Sequence, residues 1–93
     1  MNPDSAHILK AALHGDGVLL SYHLGVADGI TLLSRRGLEA EFSAFAEDEP
    51  PPVVDARPKL DPNQPEIRHY RAILSYRSNA MCQLSNEIVL ILP

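Results

Sequence analysis

Ile67-Arg68-His69-Tyr70-Arg71-Ala72-Ile73-Leu74-Ser75-Tyr76-Arg77 is the stretch on which the fold of this chain turns. Tyr70, Ala72, Leu74 and Tyr76 alternate with His69, Arg71, Ile73, Ser75 and Arg77, the period of two that belongs to a β-strand with one face on a core. The spacing predicts a strand over residues 67–77. His69, Arg71 and Arg77 would project together from its polar face, and arginine and tyrosine are over-represented at the centres of interfaces. These three residues are the candidate partner-binding set.

Downstream, Ala80 to Leu84 reads as another strand, Ser85-Asn86-Glu87 as a turn, and Ile88 to Leu92 as a buried terminal strand. Upstream lies Glu47 to Pro65, whose six prolines exclude a helix interior or a central strand. An extended, mobile, acidic loop is expected there, within a single domain spanning residues 1–93.

The N-terminal half is less regular. Asp4 or Ser5 could cap a helix over residues 5–14, with Ile8, Leu9, Ala12 and Leu13 on one face and Gly15 ending it. Val18, Leu20, Tyr22 and Leu24 alternate as a strand, and Gly25 and Gly29 would let Ile30 to Ser34 return as its hairpin partner. Leu38, Ala40, Phe42 and Ala44 suggest a third strand. The predicted fold is therefore α+β, one short N-terminal helix packed on an antiparallel sheet of four to six strands.

The 93 residues, 45% of them hydrophobic and 22% charged, suit one globular core rather than a disordered chain. The core must be lean, with five aromatics and no tryptophan, and a lean core with open sheet edges favours a homodimer, with Ile88 to Leu92 at the interface. The first residues lack a basic, apolar signal segment, and the longest wholly apolar run, Ile88 to Leu92, is far too short to span a membrane. Cys82 has no second cysteine to pair with. A cytoplasmic protein is expected.

Net charge is −4, with three basic against five acidic residues in 1–46, two against five in 47–65, and three against two in 66–93. That sign disfavours non-specific nucleic-acid binding, which draws on a basic excess to displace counterions. Residues 20–36 loosely echo a helix-turn-helix around Gly25, ending in Arg35 and Arg36, which gives the alternative of a DNA-binding regulator. Gly29 and the acidic total oppose it.

Metal and catalytic motifs fare poorly. On a helix His7 and His14 would stand about 10 Å apart, too far for one zinc ion. His23 and His69 could meet only if their strands paired. No serine sits in a nucleophile elbow, no glycine run makes a phosphate loop, and Cys82 reads as a small core residue. No metal, cofactor or catalytic residue is assigned. The sequence thus points to a small acidic protein-protein interaction module, of inhibitor, immunity, anti-activator or adaptor type, that binds and occludes another protein. A histidine-dependent enzyme is the second alternative.

Overall fold

A computed structural model describes residues 9–23, 25, 27–76 and 81–93. Among them are eight strands and no helix: β1 (Leu9–His14), β2 (Gly17–Tyr22), β3 (Gly29–Arg36), β4 (Ser43–Glu47), β5 (Val53–Asp55), β6 (Glu66–Tyr76), β7 (Met81–Leu84) and β8 (Ile88–Leu92). They form two antiparallel sheets. The smaller has the order β1-β2-β5; the larger runs β4-β3-β6-β7, with β8 also paired to β6.

The α+β expectation is overturned by β1. Residues 9–14 of the expected helix pair antiparallel with β2, Leu9 opposite Tyr22 and His14 opposite Gly17, while residues 5–8 lie outside the described residues. Leu, Lys and Ala are good helix formers, but propensity is a weak prior that a sheet neighbour readily overrides. Gly15, expected to end a helix, instead opens a two-residue hairpin loop with φ of 58°, the positive value such a loop requires at its first position. Gly17 is needed for a different reason: a Cβ there would stand 2.5 Å from the Asp55 carbonyl oxygen of β5.

The expected hairpin of residues 18–34 is a crossover between sheets. β2 pairs with β1 and β5, whereas β3 pairs with β4 and β6. The same observation leaves the helix-turn-helix reading of residues 20–36 without helices, since its described residues lie in β2, β3 and the link between them. The third strand also moves, from 38–44 to 43–47, and Leu38 is left fully exposed in a turn.

Leu9, Val18, Leu20 and Tyr22 of the smaller sheet meet Ile30, Leu32, Tyr70, Ala72, Leu74 and Leu92 of the larger one in a single buried core. Every second residue of β2, β3 and β6 supplies it, as one-sided burial of a strand demands. At one margin β1 lies against β8. There Asn86 acts as a surrogate strand, its Oδ1 accepting the Leu9 N–H at 3.0 Å and its Nδ2 donating to the Leu9 carbonyl at 2.9 Å.

β7 and β8 follow one edge of β6 as a single interrupted strand. Leu84 is opposite Ile73 and Ile88 opposite Tyr70, so Ser85-Asn86-Glu87 spans Arg71 and Ala72, three residues against two. This is a β-bulge, and Ser85 repairs the ladder across it: its N–H donates to the Ala72 carbonyl, and its Oγ accepts the Ala72 N–H, each at 2.9 Å. The register change turns Glu87, Val89 and Ile91 to the outer face.

Candidate functional site

Two polar clusters grow from β6, one on each face. The inner one begins with Arg68, the largest fully buried side chain, at 0% exposure. A buried guanidinium is costly unless every donor finds an acceptor. Its Nε donates to Glu66 Oε2 at 2.6 Å, Nη1 to Asp55 Oδ2 at 3.3 Å, and Nη2 to the Arg57 carbonyl at 2.8 Å. Tyr70 adds its hydroxyl to Asp55 Oδ2 at 2.7 Å, and Arg57 grips the same carboxylate with Nε and Nη2, both at 2.7 Å.

Burial alone would raise the Asp55 and Glu66 carboxyls. The hydrogen bonds of Arg57 and Tyr70 on Asp55, and of the Leu60 N–H and Arg68 on Glu66, outweigh it and hold both below the ordinary carboxylate range. The Tyr70 phenol moves the other way: burial first, then its bond to Asp55, push it up to about 12. Two guanidiniums and two carboxylates balance, and the cluster is closed on itself. Its role is to dock the proline-rich segment, since Asp55, Arg57 and Leu60 all lie within 47–65 and all bind β6 or its neighbours.

That segment is therefore not wholly loop. It carries β5, an edge strand of its sheet, which is where prolines are tolerated because no ladder donor is lost to a second neighbour. Between β4 and β5 runs a groove of about 530 Å³, lined by Phe45, Val53 and Asp55 among others, with the Arg57 guanidinium stacked 4.8 Å from the centre of the Phe45 ring. Of its charged groups, Asp55 and Arg57 are already committed to the inner cluster, whereas Glu49 is not.

The outer cluster lies on the opposite face of the larger sheet. His69 stands opposite Arg35 and Arg71 opposite Leu33 across the β6–β3 ladder. Glu87, delivered by the bulge, joins His69 Nδ1 at 2.8 Å and accepts from Arg71 Nη2 at 2.7 Å. Those two bonds, the histidine's first, keep the Glu87 carboxyl below its ordinary range. Arg35 Nη2 lies 3.1 Å from His69 Nε2. Guanidinium only donates, so Nε2 accepts, and the ring proton sits on Nδ1 facing Glu87. Phe42 completes the group, with Arg71 and Arg35 at 5.2 and 5.7 Å from its ring centre and the His69 ring edge-on at 6.4 Å.

Beside this cluster the face is aliphatic. Ile67 is directly opposite Ile91 and His69 opposite Val89, and Ile67, Val89 and Ile91 are 47%, 53% and 60% exposed. Leu84, 54% exposed, lies on the far side of the bulge, opposite Ile73.

Of the residues predicted from sequence, His69 and Arg71 are brought together on the outer face, and Arg77 lies outside the described residues. His23 and His69 are not brought together, because β6 pairs with β3 rather than with the strand leading to His23. Cys82 is exposed rather than in the core. Arg35, Phe42, Glu87, Val89 and Ile91 were not anticipated as neighbours of His69. The one sequence signal was the all-apolar run Ile88 to Leu92, which is apolar on both faces and so must expose half of its side chains when only one face is buried.

The chain matches no known protein family, no curated protein and no solved structure. Among the described residues no helix is long and apolar enough to cross a membrane.

Proposed function

We propose that this chain is a protein-binding module that engages and occludes its partner through the outer face of the larger sheet. The observation that carries the reading is the stripe Ile67, Val89 and Ile91, exposed β-branched side chains on two hydrogen-bonded strands. Scattered exposed aliphatics are ordinary on a protein surface, but a contiguous set bordered by arginine and an aromatic ring has the composition of an interface centre. Phe42, Arg35, His69 and Arg71 hold one another in place, so little side-chain freedom is lost when a partner docks.

Binding fits the chemistry better than catalysis does. Both ring nitrogens of His69 are engaged, one by Glu87 and one by Arg35, which leaves it poorly placed to exchange a proton with a substrate.

Affinity capture from lysate of the source cells, with wild type and the Val89→Asp, Ile91→Asp double variant side by side, tests the proposal. A protein retained by wild type and lost by a variant with an unchanged circular dichroism spectrum supports it; equal retention by both overturns the assignment of the face. A second copy of the chain is also a candidate occupant, favoured by the uncharged stripe, which meets its own mirror without like-charge repulsion. Light scattering should then give a mass near twice the 10.2 kDa of one chain, reduced to one chain by the same substitutions.

A further inference from the structure

The described residues include five arginines, and four of them meet a carboxylate. Arg36 pairs with Glu39, Arg57 with Asp55, Arg68 with Asp55 and Glu66, and Arg71 with Glu87. Arg35 meets none among the described residues. Its Nη1 donates to the Glu39 backbone carbonyl at 3.2 Å and its Nη2 faces the His69 ring. Both are neutral acceptors, and they use two of the five N–H groups that a guanidinium carries. Among the described residues, the hydrogen-bonded cluster at the centre of the outer face therefore holds two guanidiniums and the one carboxylate of Glu87, a surplus of positive charge in a chain whose total is −4.

We infer that the partner segment seated on this face presents a carboxylate to Arg35, with aliphatic side chains flanking it to cover Ile67, Val89 and Ile91. This rests on the outer face being the binding face. Charge complementarity selects the anion, and the planar guanidinium, propped against Phe42, offers a fork suited to a carboxylate. The aliphatic border selects the carrier. A nucleic-acid backbone would leave that border bare, whereas a peptide alternating acidic and aliphatic residues satisfies both parts. Glu87 already shows how such a carboxylate is received, bridging Arg71 and His69 from the chain's own bulge.

The probe is a fluorescein-labelled pentapeptide, Leu-Glu-Leu-Glu-Leu, titrated by anisotropy beside its Leu-Gln-Leu-Gln-Leu analogue. The acidic peptide should bind about tenfold tighter at low salt, as expected for a charge-assisted bond, and the gap should close toward 1 M salt. Arg35→Gln should erase the preference while leaving the weaker, shared binding, and Arg35→Lys should restore part of it; Val89→Asp should weaken both peptides. Equal affinity of the two peptides, or a preference untouched by Arg35→Gln, overturns the carboxylate inference and leaves the face standing. Binding of both peptides that ignores Val89→Asp removes the face as well. Failure of the acidic peptide to bind at millimolar concentration also overturns the inference.

Discussion

Arg68 and Arg71 leave the same strand on opposite faces, and each stands among a carboxylate, an aromatic ring and a further polar group. Inside, Arg68 has Glu66, Asp55 and Tyr70; outside, Arg71 has Glu87, His69 and Phe42. The difference lies in what solvent forgives. The inner cluster balances two positive and two negative charges, because a buried ion left short of a partner bears the whole desolvation cost. Among the described residues the outer cluster leaves Arg35 without a carboxylate, which water tolerates. Similar components thus serve as a structural fastener on one face and, in the function proposed above, as a contact surface on the other.

Breaking the inner cluster should have the largest effect. Arg68→Ala leaves the buried Glu66 carboxylate without its cation and Asp55 with Arg57 alone, and should cost about 3–5 kcal/mol of stability, read as a large drop in the denaturant midpoint. Arg68→Met, which leaves Glu66 equally without a cation, should do little better. A small loss from either would mean that water reaches the cluster and that the two faces differ less than their exposure indicates.

Acid should loosen the same fastener. The folded carboxyls of Asp55 and Glu66 lie below their ordinary range, so their stabilisation is full above the unfolded values near 4 and is lost as pH falls through the folded ones. Denaturant midpoints should be flat from pH 8 to about 5 and decline below it. In Asp55→Asn the decline should be shallower and start from a lower midpoint. At the alkaline end the sign reverses: the neutral Tyr70 phenol, raised to about 12, stabilises fully below the free value near 10 and loses that contribution as pH climbs toward 12. Absorbance at 295 nm should show a late-titrating tyrosine that Asp55→Asn brings earlier.

A middling effect belongs to the margin between the sheets. Asn86→Ala removes both bonds to Leu9 and leaves part-buried backbone groups without partners, at about 1–3 kcal/mol. Hydrogen exchange should then accelerate at Leu9 ahead of the β6 amides. The smallest effect is reserved for the outer cluster: Arg71→Gln should change stability by no more than about 1 kcal/mol, because the pair with Glu87 is partly solvated. Its consequence should appear in partner affinity. A collapsed midpoint would show that the outer cluster too is a fastener.

The alternation of Tyr70, Ala72 and Leu74 made β6 and its two faces legible in the sequence, and with them His69 and Arg71. The prolines of 47–65 correctly excluded a central strand, but they hid β5, because the contacts that hold Asp55 are made with Arg68 and Tyr70, 13 and 15 residues away. β1 was misread because Leu9, Ala12 and Leu13 also fit a helical stripe; strand identity there came from β2. The outer cluster was half legible for a similar reason: Arg35 and Glu87 reach His69 from 34 and 18 residues away. Local periodicity shows which face a residue takes. It does not show which strand lies beside it.

The bulge at Ser85-Asn86-Glu87 has a consequence for folding fidelity. Ile88 to Leu92 are aliphatic throughout, so sliding β8 by one residue along β6 would exchange one apolar face for another at little hydrophobic cost. Hydrophobicity alone leaves this strand with two nearly degenerate alignments. Three polar residues choose between them: Ser85 bonded to Ala72, Asn86 to Leu9, and Glu87 to His69 and Arg71. They work as a typographer's register mark, fixing the frame in which the following line is printed. A chain lacking those side chains would still close its core, but as a mixture of two frames. One of them would show its partner Leu90 where Val89 and Ile91 belong.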